Sequence, residues 1–350
     1  MINRCLHKII PALCFFSLQL LSVTIFAQKK YPDLEVVTSG VKTNIRGLSV
    51  VNENVIWVSG SNGAVGKSTN GGKTWKWITV KGFEKTDFRD IEAFDAKTAI
   101  IMGISEPAYI LKTTNGGDSW TVVYENTSKG MFLDAMEFWN DQAGIVVGDP
   151  IDGRFFIART FDNGSTWQEI PLDKRPLADS GEGCFASSGT NIRMLDRGEA
   201  VFVSGGLSSR IFIRDKIIKL PLQQGGETLG ANSVSVYDYF KRKGGKKIIV
   251  VGGDFRNDSS AVDNCFYTHD GGKSWKRPNS PLHGYRSCVE YLSPKDIIAC
   301  GLNGVDYSPD GGKTWKWISK EGFHVCRIAK YGEAVFLAGA NGKIGKLVWD

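Results

Sequence analysis

Five times in this chain an eight-residue stretch returns with the same pattern. It runs STNGGKTW at 68–75, TTNGGDSW at 113–120, TFDNGSTW at 160–167, THDGGKSW at 268–275 and SPDGGKTW at 308–315. The shared form is Ser/Thr, any residue, Asp/Asn, Gly or Asn, Gly, any residue, Ser/Thr, Trp. An Asp or Asn side chain accepts hydrogen bonds from backbone N–H groups just ahead of it and closes a tight turn. The glycine supplies positive φ at low steric cost. The Trp opens the next strand and covers the turn with a large apolar surface. Each octapeptide is therefore a hairpin turn, and its recurrence makes the chain a repeat protein.

The repeat is countable to the end. An apolar run ending in glycine occurs seven times, at Gly60, Gly103, Gly148, Gly205, Gly252, Gly301 and Gly339. Units four and seven lack the octapeptide; 210–216 replaces it in one and 343–349 ends the other. Seven units of about 40 residues, each with four strands a to d, specify an all-β, seven-bladed β-propeller. The last unit supplies only strands a to c, while residues 34–38 form a strand without a unit. Pairing of 34–38 with 343–349 is the expected closure, because it removes the open edges between the first and last blades.

A propeller takes all 350 residues as one domain after a leader. Residues 1–27 read as a secretory signal, with Arg4 and Lys8 ahead of an apolar run and a cleavage point at Ala27–Gln28. A retained membrane anchor is the alternative. Cys14 follows Pro11-Ala12-Leu13, a poor lipoprotein box, so no lipidation is expected there. The domain reading is thus 1–27 signal and 28–350 propeller, placed in the periplasm or outside the cell. The formal charge of +6 falls to near +4 once Arg4 and Lys8 are removed, too little to argue for nucleic acid. Cys184, Cys265, Cys288, Cys300 and Cys326 remain. Their spacing suggests no metal site, and buried free thiols are the expectation. No P-loop or dinucleotide fingerprint occurs, so no cofactor is expected.

Candidate functional residues follow from using the repeat as its own control. Loops d–a and b–c share one face of a propeller; loops a–b and c–d, including the octapeptide turns, share the other. The chain is lengthened on the first face in units three to five, where function tends to sit on a rigid scaffold. Those loops bring Asp149, Asp152 and Arg154, then Glu182, then Asp254 and Arg256, where units one, six and seven have uncharged SNG, LNG and ANG turns. Counting fourteen residues back from the strand-b glycines gives Arg46, Arg89, Asp134, Asn191, Ser287 and Val325 as the heads of the inner strands, with Asp90 beside Arg89. These should ring the channel mouth.

Plainer roles stand beside these. Arg and Asp at a channel mouth can pair with one another and hold nothing. Asp149 and Asp152 flank a Pro and precede a Gly, and so can simply shape a turn. The basic run at 241–247 reads as a solvated hairpin. Ser187 and Ser188 make no catalytic triad, because outside the leader the only histidines are His269, His283 and His324, and His269 lies within an octapeptide.

The octapeptide resembles the Asp-box, or BNR, repeat of sialidases and related propellers. With TNGGKTW, FRDIEAF, VGDP and GEGCFASSGT, the seven-unit layout and the leader, residues 34–350 resemble the photosystem II stability/assembly factor-like family. That resemblance implies an assembly chaperone that binds another protein; its automatic oxidoreductase label has no cofactor motif here to support it. Two functions compete. One is a monomeric binding or assembly module acting on a protein or glycan through the charged face. The other is a glycosidase or lyase with paired carboxylates among Asp149, Asp152, Glu182 and Asp254. Sialidases clamp substrate with three arginines; Arg46 and Arg89 would be two, but the Arg-Ile-Pro motif is absent.

Overall fold

Every apolar run that ends near a glycine becomes the second strand of an antiparallel sheet in the computed structural model, which describes residues 31–349. Seven such sheets form the blades of a β-propeller. Blade one is typical, with strands Ile45–Val50, Ile56–Gly60, Ala64–Ser68 and Lys76–Thr79 in sequential order. These second strands are buried on both faces because they lie between neighbouring blades, which is why they read as continuous apolar runs. Outer strands such as Lys76–Thr79 are half exposed.

Closure is as the pattern of strands requires. Asp33–Thr38 pairs antiparallel with Ile344–Val348 and becomes the outer strand of blade seven. Blade five departs from the plan. Its inner strand Leu229–Val236 is extended by Gly205–Gly206 and Glu182–Gly183, so the long loop into blade four is stitched onto blade five. Its fourth strand shrinks to a bridge between Tyr267 and Lys276.

The octapeptides are c–d turns, as expected. In the fourth copy Asp270 accepts the N–H of Ser274 at 3.0 Å, and the buried Thr268 hydroxyl accepts that of Gly272 at 3.2 Å. Gly272 has φ +81°, and a Cβ there would meet Ile218 at 3.0 Å. In each copy the residue before that last glycine donates its N–H to the a–b turn of its own blade, as Gly71 does to Asn54 and Gly271 to Lys246. The motif thus fastens two turns on one face together.

A second stitch holds blades to one another. Asp90 accepts the N–H of Met136 from the next blade, Ser233 that of Val289, and Cys288 that of Cys326. One turn nearer the a–b face, Ser49 and Ser235 accept from Ala93 and Tyr291.

All five cysteines among the described residues are buried free thiols. No helix among the described residues is long and apolar enough to cross a membrane. The leader, its cleavage point and the anchor alternative lie outside the described residues.

Candidate ligand-binding site at the channel mouth

The inner strands begin with a β-bulge, and the bulge aims its residue into the channel mouth. Register shifts fall between Ile45 and Gly47, Phe88 and Asp90, Leu133 and Ala135, and Ala231 and Ser233. Arg46, Arg89 and Asp134 therefore occupy equivalent places, and blade five contributes Asn232, which the fourteen-residue count could not reach. Two counted positions shift. Val325 pairs with Ala338, because the a–b turn of blade seven is one residue longer, and His324 takes the mouth position instead. In blade four Ile192 pairs with Phe202, which leaves Asn191 one step inside and fully buried.

The mouth encloses a cavity of about 370 Å³. Arg46, Arg89, Asp149 and His324 supply its ionisable side chains, and Phe132, Phe185, Phe255 and Tyr285 its aromatic walls. Arg89 is ion-paired to Asp87 at 2.8 Å and points a second nitrogen at the Ala186 carbonyl. Arg46 donates to the Ser187 carbonyl at 3.0 Å and has no ion pair among the described residues. Burial and the neighbouring Arg89 both pull the Arg46 pKa down. Two guanidiniums that repel each other in a partly desolvated cleft form an anion-seeking pair.

The acidic partners are held differently. Asp149 accepts the Cys184 N–H at 2.8 Å, yet burial lifts its pKa to about 6. Asp134 is fully buried behind it. Burial and then Asp149 push its carboxyl well above the usual range, against the pull of Arg89 and the Ala186 N–H. His324 gives its Nδ1 to the Ile45 carbonyl at 2.8 Å, and burial followed by Arg46 lowers its pKa to about 4. At neutral pH the imidazole is therefore uncharged.

The other charged loop residues do not line the cavity, so Asp149 and Arg89 meet there without Glu182, Asp254, Asp152 or Arg154. Glu182 is buried against Arg210 and the Ser204 hydroxyl, and also accepts the Asp179 N–H at 2.8 Å. Asp254 is engaged by the Thr228 hydroxyl at 2.7 Å and the Arg256 N–H at 3.0 Å, which shapes its own loop; the Arg256 side chain does not line the mouth. Asp152 is the turn residue of a b–c hairpin, at φ +51°. Arg154 donates to the Arg175 carbonyl. Asp90 faces the inter-blade seam, where burial raises its carboxyl to about 8.

The far end of the channel is closed by charge. Glu92, Glu137, Arg193, Glu290 and Arg327 come from equivalent inner-strand positions. Arg193 bridges Glu137 at 3.2 Å and Glu290 at 2.8 Å, Arg327 meets the same two carboxylates, and Lys330 pairs with Glu92. These groups neutralise one another, whereas the first mouth keeps an unpaired cation.

Sequence reasoning passed over His324, Tyr285 and the phenylalanines of the mouth. A usable signal existed: Asn232, Ser287 and His324 hold the position that Arg46 and Arg89 hold, once each a–b turn length is known.

Comparison with known proteins agrees with this architecture. Residues 26–129 match the family model of photosynthesis system II assembly factor YCF48, and residues 266–277 match the BNR/Asp-box repeat. No curated protein sequence matches. Among solved structures, YCF48 bound to D1 peptide is similar at 18% identity and TM-score 0.65, over 91% of this chain and 96% of that one. YCF48 from Cyanidioschyzon merolae is similar at 17% identity and TM-score 0.64, over 90% and 98%. The chain is a seven-bladed Asp-box (BNR) β-propeller, similar to the YCF48 propellers in its fold and to the photosynthesis system II assembly factor family model in the sequence of residues 26–129.

Proposed function

We propose that this chain is a binding propeller that takes a segment of another polypeptide at the channel mouth, with an acidic side chain or a terminal carboxylate against Arg46 and Arg89. The observation that carries the reading is the imbalance at that mouth: two guanidiniums, one of them without an ion pair, beside carboxyls that burial drives toward the neutral form. The aromatic walls give an apolar surface to the rest of such a segment. A similar propeller is described as bound to D1 peptide, which supports a peptide as the class of ligand.

The enzymatic alternative finds less support. A glycosidase needs two carboxyls that both reach substrate, about 5–10 Å apart. Asp149 lines the cavity, but Asp134 is fully buried, and Glu182 and Asp254 are committed to local partners. A glycan ligand remains the competing outcome of the test.

The reading includes export, on the strength of the basic and apolar leader at 1–27, with 28–350 as the working monomer. N-terminal sequencing of protein recovered from a fractionated native host tests that part.

The binding part is tested with a random peptide library displayed with free C-termini. Enrichment of acidic peptides that Arg46→Gln and Arg89→Gln abolish, at unchanged melting temperature, supports the reading. Enrichment insensitive to both variants, or retention of neutral glycans in a parallel array, overturns it.

A further inference from the structure

Three buried thiols converge where blade six meets blade seven. Cys288 and Cys300 sit opposite each other on the first two strands of blade six. Cys326 arrives from the first strand of blade seven. All three are 0% exposed. Their sulfur atoms lie within 4.8 Å of one another, and those of Cys288 and Cys326 are 3.5 Å apart.

Packing alone accounts for each residue separately, not for the convergence. The Cys288 position needs an acceptor for the next blade's N–H, a role that Asp90 and Ser233 fill elsewhere. The place of Cys326 is held by Leu48, Met136 and Val289 in other blades, and that of Cys300 by Met102, Val147 and Ala338. Among the described residues, only at this seam do three soft donors from three strands point at one spot.

We propose that Cys288, Cys300 and Cys326 form a three-coordinate site for a soft monovalent cation, copper(I). A planar trigonal ion with metal–sulfur bonds of about 2.3 Å sets its sulfurs roughly 4 Å apart, which is the spread already present among these thiols. Thiolates select soft ions, and copper(I) accepts three of them. Zinc asks for a fourth ligand, usually a further side chain or water. The cluster offers no fourth donor among the described residues, and its burial keeps water out. Binding replaces protons: each sulfur that ligates as thiolate gives its proton to solvent, and the metal stays in its +1 state. Arg327 and Arg193, although paired with Glu137 and Glu290, add a favourable field at Cys288 from the charged end of the channel.

The test uses the whole mature chain, reduced and anaerobic, with Cu(I) supplied against a competing Cu(I) chelator. Metal is added to the folded protein in one arm and during refolding in the other. Uptake of one Cu(I) per chain in either arm, with three sulfur neighbours by X-ray absorption, is the expected result. Cys300→Ala and Cys326→Val, both checked for folding by circular dichroism, should lose more than the ~10–100-fold in affinity that loss of a mere outer-shell partner costs. Cys184→Ala and Cys265→Ala should bind as the parent does. No uptake in either arm, uptake undiminished in Cys326→Val, or displacement by equimolar Zn(II) overturns the assignment.

Discussion

The carboxylate of Asp90 reaches out of blade two and accepts the backbone N–H of Met136 in blade three at 2.7 Å, with Gly189 lying close beside it. A Cβ on Gly189 would come within 2.4 Å of that carboxylate, so the glycine is required by the close approach. Burial outweighs the pull of Arg327 and of two N–H donors, and the carboxyl is raised to about 8.

The sign of the resulting pH dependence is definite. Between the unfolded carboxyl range near pH 4 and the folded value of about 8, the native state holds the extra proton, so this group's contribution to stability falls as pH rises. Asp90→Asn keeps an acceptor oxygen without the charge. Its melting temperature should match the parent at pH 5 and exceed it at pH 9, by an amount worth on the order of a few kcal/mol. Equal melting curves at both pH values would contradict the buried, protonated carboxyl.

At the mouth, Asp149 should govern ligand affinity through its pKa of about 6. Protonation below that value removes the negative charge that competes with an incoming anion for Arg46 and Arg89, while burial pushes Asp134 behind it toward the neutral form as well. An acidic peptide should therefore bind more tightly at pH 5 than at pH 8, by roughly tenfold. In Asp149→Asn the affinity should be high at both. Fluorescence anisotropy across this range measures it.

Removal of residues 31–40 takes the outer strand from blade seven and exposes the edge of Ile344–Val348. It also removes Tyr31, which packs edge-on against Tyr307 and carries Lys316 over its ring. The melting temperature should fall, and the truncated chain should self-associate in sedimentation velocity runs through the open edge. An unchanged melt would mean that closure contributes nothing.

In the fourth Asp-box the cost of mutation should lie in the Thr, more than in the Asp that names the motif. Thr268 is buried, and its hydroxyl is the acceptor for the buried N–H of Gly272; Asp270 faces solvent. Thr268→Val keeps the shape and leaves that N–H unpaired, at about 1–3 kcal/mol in denaturant unfolding. Asp270→Ala should instead show its effect in acid. Hydrogen bonds from Ser274 and Thr268 hold its carboxyl well below the usual range, so its contribution is present above pH 4 and lost as pH falls.

What the sequence determined by itself is what local chemistry specifies. The octapeptide turns, the glycine-ended apolar runs and the orphan strand at Asp33–Thr38 fix seven sheets and the way they close, because turn geometry and strand burial are written in neighbouring residues. The place of Arg46 and Arg89 was equally legible, since the repeat puts them in register. Tertiary structure alone decided which charges remain available. Glu182 and Asp149 look alike in sequence, as carboxylates in lengthened loops, but Arg210 captures the first and the second is left lining the cavity. A single residue in the blade-seven turn put His324 rather than Val325 at the mouth. The three thiols of Cys288, Cys300 and Cys326, far apart in any spacing rule, meet because strands from two blades share one seam. A side chain's partners in a propeller come from strands about forty residues away, and that distance is set by packing between blades, which no local pattern encodes.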